Sequence, residues 1–240
     1  MDEINEKIKT LQSYIDQSHS IIFLTGAGVS TDSGIPDFRG EGGIYQNAGE
    51  EMLSAWKFRT DPAGFFDFYR KNMLYLNAEP NITHEFIARC EKKHKSLGVI
   101  TQNIDGLHQK AGSKRVYELH GSVYRNYCTE CGKSYSAEYI LHSDSVPRCS
   151  KDGYLIKPDV VLYGEYVNEY VYDMAKAAMQ SSDLCIIMGT GLKVATASSM
   201  LKFFYGKRLV MINRTETDFD SQMDLVIHAG CSEAVSMLHI

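Results

Sequence analysis

The chain has 240 residues, 44% of them hydrophobic and 23% charged, and a formal net charge of −5. That length suffices for one large domain or two smaller ones, and the acidic balance argues against nucleic acid as the main partner. No stretch approaches the roughly 18 apolar residues of a membrane span, and the N-terminus MDEINEKIKTLQSYIDQ lacks the basic and apolar regions of an export signal, so we expect a cytoplasmic protein with no membrane partner.

In chain order, Ile4, Ile8, Leu11 and Ile15 recur at steps of three and four and predict an amphipathic first helix. The apolar run Ile21-Ile22-Phe23-Leu24 reads as a buried strand that stops at Thr25-Gly26-Ala27-Gly28 and gives way to a polar helix start. Helix is expected over 81–95, 168–181, 195–205 and 232–239. Strands are expected over 97–101, 116–119, 183–188, 208–212 and 224–228. Such alternation predicts an α/β fold, with a mostly parallel Rossmann-like sheet and helices on both faces.

Two stretches break the rhythm. Residues 36–80 are rich in glycine and aromatics, and 122–157 carry a cysteine cluster among short β-like pieces. Both read as insertions that together form a small domain, one helical and one ribbon-like. The large domain is then 1–35, 81–121 and 158–240, and the cleft between the two is the expected ligand site. Six cysteines in a long chain without an export signal do not suggest a disulfide framework. Cys90, Cys185 and Cys231 sit in apolar or helical stretches and read as core.

Three motifs carry possible chemistry. The first runs from Gly26 to Gly40 as GAGVSTDSGIPDFRG. Gly26 and Gly28 would let backbone amides approach a pyrophosphate, although Gly34 comes too late for the usual G-x-G-x-x-G spacing, and taken alone the pair also fits a plain strand–helix turn. The second, Thr101-Gln102-Asn103-Ile104-Asp105-Gly106-Leu107-His108, lies just past a strand where open α/β sheets meet ligands; by spacing alone it fits a helix start capped by Asn103 or Asp105. The third, Glu118-Leu119-His120-Gly121-Ser122, places a histidine at a strand end, either a general base or an ordinary satisfied polar residue.

Together with KPDVVLYGE at 157–165 and GTGL at 189–192, these motifs resemble the sirtuin family of NAD-dependent protein lysine deacylases, in the same order and over nearly the whole chain. The resemblance implies NAD as co-substrate, acylated lysine-containing proteins or peptides as partners, and a monomer. It implies transfer of the acyl group to ADP-ribose, giving free lysine, nicotinamide and O-acyl-ADP-ribose, with His120 as catalytic base and Asn103 holding an ordered water. NAD would be held by Gly26, Ala27, Gly28, Thr31, Asp32, Pro36, Asp37, Phe38, Arg39, Gln102, Asn103, Ile104, Asp105, Gly189, Thr190, Gly191, Asn213 and Arg214, with Ile104 and Asp105 on the nicotinamide amide. Val161 and Tyr163 would line the acyl-lysine tunnel, and the strand around Gly164 and Glu165 would pair with substrate backbone. A protein ADP-ribosyltransferase is the alternative within enzymes, which His120 in its ELHGS setting argues against; a non-catalytic NAD or acyl-lysine binder would be expected to lack Asn103, Asp105 or His120.

The sequence departs from the family at three places. Its structural zinc is usually held by two Cys-x-x-Cys pairs; here Cys128 and Cys131 form one, but the second reads Cys149-Ser-Lys-Asp152. Either Asp152 completes a Cys₃Asp site, more weakly than a fourth cysteine would, or Asp152-Gly153 closes the loop as a turn without metal. Gly191 stands where a serine is common. In relatives that take succinyl or malonyl groups, a tyrosine is followed three residues on by an arginine. Here Tyr69 is followed by Asn72, with Arg70 out of phase on the helix, so acetyl or longer neutral acyl groups are expected.

Overall fold

The computed structural model describes residues 2–40, 43–46 and 49–240. Its first helix, α1 (Asp2–Gln17), buries Ile8, Leu11 and Ile15, the stripe expected from spacing. It leads into β1 (Ile21–Thr25), a strand buried along its whole length. After the helical insert α2 (Ala55–Thr60) and α3 (Pro62–Met73), the chain returns through α4 (Ile82–Lys92), β2 (Ser96–Thr101), α5 (Leu107–Lys110) and β3 (Val116–Glu118). The ribbon follows: β4 (Gly121–Cys128), β5 (Ser134–Tyr135), α6 (Ala137–His142) and β6 (Ile156–Val160). Then come α7 (Glu169–Gln180), β7 (Leu184–Met188), α8 (Ala195–Ser198), β8 (Arg208–Ile212), β9 (Leu225–Ile227) and α9 (Cys231–Ser236).

The main sheet has the order β3-β2-β1-β7-β8-β9, with every adjacent pair parallel. Because side chains alternate across a strand, an unbroken apolar run feeds two cores. Ile21 and Phe23 of β1 join Ile186 and Val210 beneath α1, α4 and α9, whereas Ile22 and Leu24 join Ile187 and Met211 beneath α7 and α8. The chain winds from β1 to β2 on one side and returns at β7 on the other. The gap beyond the carboxyl ends of β1 and β7 is therefore a topological switch point, where open α/β sheets bind ligands.

A separate apolar cluster of Phe58, Phe65, Phe66, Tyr69, Ile140 and Ile156 joins α2 and α3 to the three-stranded antiparallel sheet β5-β4-β6. Pro62 opens α3, and the Asp61 side chain accepts from the Gly64 amide at 3.0 Å, which fixes where that helix starts. Arg70 points to the ribbon, donating to the Ile140 and Ser145 carbonyls and to Ser143 Oγ, and so ties α3 to the segment after α6.

Three local expectations need correction. The segment after β1 is not an α-helix but two 3₁₀ turns, Ala27–Val29 and Thr31–Ser33, ended by left-handed Gly34 (φ +83°). The helix expected over 195–205 is α8 followed by a 3₁₀ turn, Ser199–Phe203. Ser198 and Ser199 turn their hydroxyls back onto the carbonyls of Val194 and Thr196, competition that weakens helical continuity. Gly106, not Asn103 or Asp105, is the N-cap of α5, and Asp105 Oδ1 takes the Leu107 amide at 2.9 Å.

Candidate active site

A cleft of about 960 Å³ opens at the switch point, between the carboxyl edge of the main sheet and the smaller module. It gathers Gly26, Ala27, Gly28, Thr31, Pro36, Asp37, Phe38 and Arg39 from the first motif and Gln102, Asn103 and Ile104 from the second. His120, Val161, Tyr163, Gly164, Glu165, Gly189, Thr190, Gly191, Asn213 and Arg214 complete the wall. Of the residues expected to hold NAD, Asp32 does not reach this wall; it sits exposed on the outer side of the second 3₁₀ turn. Asp105 faces a small side cavity of about 30 Å³ shared with Ser30, Asn72, Asn103 and Ile104.

The glycines act through close approach. A Cβ on Gly26 would lie 2.6 Å from Thr190 Cβ, and one on Gly28 would lie 2.7 Å from Gly189 Cα. The Gly26 amide donates to the Met188 carbonyl and the Gly28 amide to the Gly189 carbonyl, at 3.1 and 2.9 Å. These two amides are thus committed to stitching the loops after β1 and β7 together rather than free to face a pyrophosphate, which differs from the expectation. The cradle they make is open and lined by backbone, as a dinucleotide requires.

His120 sits where β3 ends and β4 begins. Gly121 follows it at φ +79°, and a Cβ there would fall 1.9 Å from the Asp159 carbonyl oxygen, so only glycine lets the chain turn here. His120 Nδ1 lies 3.0 Å from the Gln102 carbonyl oxygen. A carbonyl only accepts, so Nδ1 carries the hydrogen and Nε2 holds the lone pair. Nε2 lies 3.1 Å from Thr196 Oγ1. Burial lowers the His120 pKa, partly opposed by the Gln102 carbonyl, and the ring is neutral at pH 7.

Beneath the cleft runs a buried polar chain. Asn103 Nδ2 donates to Ser30 Oγ at 3.0 Å, and Ser30 Oγ donates to Asp105 Oδ2 at 2.7 Å. His84 takes the Asn81 amide on Nδ1 at 3.3 Å, which leaves Nε2 as the donor toward Ser30 Oγ at 3.4 Å. His108 donates from Nε2 to Thr25 Oγ1 at 3.0 Å, and Thr25 passes its hydrogen to Thr101 Oγ1 at 2.9 Å. Burial brings the His84 pKa down to about 4 and pushes that of His108 well below its ordinary value, so both rings are neutral props. Sequence reasoning did not single out Ser30, His84 or Thr196. Ser30 lay inside the first motif, and Asn81-Ile-Thr-His84 was visible as a helix start, but nothing local showed where these side chains lead.

On the substrate side, Tyr163 exchanges both backbone groups with Leu53 and Ala55 at 3.0 Å, and Glu165 closes its own turn by accepting the Leu162 amide at 3.0 Å. Residues 163–165 are therefore a turn braced by the helical insert, where an open strand was expected. The Tyr163 hydroxyl accepts from Arg39 at 3.1 Å, and Arg39 also pairs with Glu50. Tyr69 is wholly buried in the aromatic cluster and so does not line the cleft, while Asn72 borders the side cavity.

At the far end of the ribbon, ligand atoms of Cys128, Cys131, Cys149 and Asp152 all lie within 4.8 Å of one another. The Cys131 and Cys149 sulfurs are 3.7 Å apart, close to the roughly 3.8 Å edge of a tetrahedron with zinc–sulfur bonds of about 2.3 Å. Backbone amides of Glu130 and Lys151 point at the Cys128 and Cys149 sulfurs, and the Tyr135 hydroxyl donates to Cys149 at 3.1 Å, the surroundings that stabilise thiolate ligands. The left-handed Gly153 (φ +78°) provides the turn as well, so the Asp-Gly pair closes the loop and delivers the carboxylate together. The donor set fits one structural zinc ion.

Known proteins place this geometry. A sequence profile described as the Sir2 family matches residues 26–196. An NAD-dependent protein deacetylase of Clostridium acetobutylicum is 44% identical over 229 residues, 92% of this chain and 94% of its own. A Sir2 structure with a deacetylated p53 peptide and 3′-O-acetyl ADP-ribose superposes with a TM-score of 0.91 at 36% identity, covering 95% of this chain and 96% of its own. A Sir2 structure with a p53 peptide and NAD⁺ gives 0.86 at 37% identity, covering 94% of each chain. In sequence and in fold, over nearly its full length, the chain belongs to the Sir2 family.

Proposed function

We propose that this chain is an NAD-dependent protein deacetylase that removes acetyl and other neutral acyl groups from lysine side chains, with His120 as general base. The observation that supports it most is the His120 ring. It is held neutral, with Nδ1–H fixed on the Gln102 carbonyl and the Nε2 lone pair presented at the cleft where all three motifs meet. When bound, NAD supplies a ribose carbon made electrophilic by its departing nicotinamide, which lets a weakly nucleophilic amide oxygen react. The loops at Gly26–Gly28 and Gly189–Gly191 form the dinucleotide cradle, and Asn213 and Arg214 stand at its far end. Asn103, Ile104 and Asp105 border the place proposed for the nicotinamide, with Asn103 and Asp105 held in place through Ser30. Val161 and Tyr163 flank the acyl-lysine, and Phe38 screens the cleft from water. His120 Nε2 takes up a hydroxyl proton as the acyl group is transferred, and burial makes its lone pair available at neutral pH.

We further assign residues 1–35, 81–121 and 158–240 to the NAD-binding domain and 36–80 and 122–157 to the small domain, in line with the separate apolar cluster of the latter. We also infer a cytoplasmic monomer, and the net charge of −5 speaks against nucleic acid as its main partner; no helix among the described residues is long and apolar enough to cross a membrane.

The test incubates the protein with NAD and either an acetyl-lysine or a succinyl-lysine peptide and follows products by mass spectrometry. Equal amounts of nicotinamide, deacetylated peptide and O-acetyl-ADP-ribose are expected, with succinyl-lysine turned over at least about tenfold more slowly because no cation stands at Asn72. ADP-ribose attached to protein without deacylation would instead establish the transferase, and faster succinyl turnover would overturn the neutral-acyl preference.

A further inference from the structure

We infer that Thr196 is a positioning residue for His120, its hydroxyl holding the Nε2 edge of the ring and staying its partner when the ring is charged. This rests on the reading of His120 as the base.

The geometry is specific. Thr196 lies in the first turn of the four-residue α8, on a segment that borders the cleft. Serine and threonine in helices commonly return their hydroxyls to the preceding turn, and Ser198 and Ser199 do so here. The Thr196 hydroxyl crosses instead to His120 Nε2 at 3.1 Å, linking positions 76 residues apart. With the Gln102 carbonyl on Nδ1, both ring nitrogens have partners and the imidazole plane is fixed at two points.

The hydroxyl can serve both protonation states. Beside the neutral ring, Oγ1–H donates to the Nε2 lone pair. Nε2 has one lone pair, so the Thr196 hydrogen must first turn away about the Cβ–O bond to let the substrate hydroxyl reach it; once Nε2 holds the substrate proton, Oγ1 accepts from Nε2–H, and no proton leaves threonine. The hydrogen bond to the charged ring is the stronger of the two, so the hydroxyl favours the imidazolium that the reaction forms. Other charges do not explain the ring's state. Asp37, Arg39, Glu165 and Lys193 line the same cleft, and Glu118, two residues before the histidine, is bound to Arg125 at 2.7 Å. Burial lowers the His120 pKa and the Gln102 carbonyl partly opposes it, with no charged neighbour contributing.

The experiment compares wild type with Thr196→Val, which keeps the branched shape and removes the hydroxyl, and with Thr196→Ser, which keeps the hydroxyl. The readouts are kcat, KM for NAD, the acid limb of kcat/KM against pH, and the melting temperature. The valine variant is expected to lose about tenfold in kcat and to move its acid limb down by roughly half to one pH unit, with KM for NAD within about twofold. Serine should restore both the rate and the limb. A valine variant with wild-type kcat and an unmoved limb would overturn the inference. So would a serine variant as impaired as valine, which would reduce Thr196 to packing. His120→Ala, run alongside, separates the two readings. If it is inactive while Thr196→Val matches wild type, only the role of Thr196 fails; if it stays active, the base and its positioning residue fall together.

Discussion

The cleft and the cysteine ribbon reach order by opposite means. The cleft walls are carried on the ends of strands buried on both faces, and the loops after β1 and β7 are packed so closely that glycine is required at 26 and 28. Its shape is a by-product of the main core, and its reactive side chains contribute little to holding it. The ribbon has a two-residue strand, β5, and a sequence-local set of four donors that draws its tip together. There the ligating side chains tie the tip, while Ile140 and Ile156 anchor its base in the apolar cluster. A cleft side chain should therefore be separable from stability, and a ribbon ligand separable from chemistry.

His120→Ala should separate the two regions most widely. Loss of a general base is expected to cut kcat by about 10²–10⁴-fold, with a thermal midpoint lowered by only about 2–4 °C; a variant that unfolds instead would show that the cleft depends on its catalytic side chain. Next in size is metal removal. Chelation should lower the melting temperature by about 4–8 °C while leaving kcat of the still-folded enzyme within about threefold. Asp152→Cys should slow zinc loss to the chelator, because a fourth thiolate binds zinc more tightly than a carboxylate. Metal analysis showing zinc that resists strong chelation in the wild type would contradict the weaker Cys₃Asp site.

Gly28→Ala probes the close packing that shapes the cleft. Its Cβ would meet the Gly189 backbone at 2.7 Å, so the loops must part. A cost of about 1–3 kcal/mol with a raised KM for NAD is expected from denaturant melts and initial rates, and an unchanged KM would show that the loop contact does not shape the cradle. Stability also depends on pH. His84, His108 and His120 all have folded pKa values depressed by burial, so the unfolded chain binds more protons as pH falls. Their contribution is complete above about pH 6.5 and is lost below it toward the folded values, by up to about 1.4 kcal/mol per pH unit for each ring. Melting temperatures from pH 7.5 to 5 should fall accordingly; a flat profile would mean that these rings are charged or exposed.

Much of the fold was legible from local pattern. β1, β2, β7 and β8 are apolar runs with no polar face, as strands buried on both sides must be, and the α1 stripe reached the core as spaced. The glycine motif was misread as a helix start because strand–glycine–polar helix is the commoner sequel, and the 195–205 helix failed where serines offered the backbone other partners. A fourth zinc donor was visible in the C-x-x-D spacing, yet only the folded chain shows that Gly153 makes the turn and that the Asp152 carboxylate stands beside the three thiols.

Local spacing alone settled the alternation of strand and helix, the three motifs at strand ends and the three clustered cysteines of the ribbon, because each depends on a short stretch of chain. The fold alone settled which nitrogen of His120 carries the hydrogen, that the Gly26 and Gly28 amides are already engaged, and that Ser30, His84, His108 and Thr196 support the cleft. Those bonds join residues 54, 76 and 83 positions apart. A hydroxyl or imidazole is chemically willing to bond many partners, and the sheet order, by placing β1 between β2 and β7, selects the one it meets.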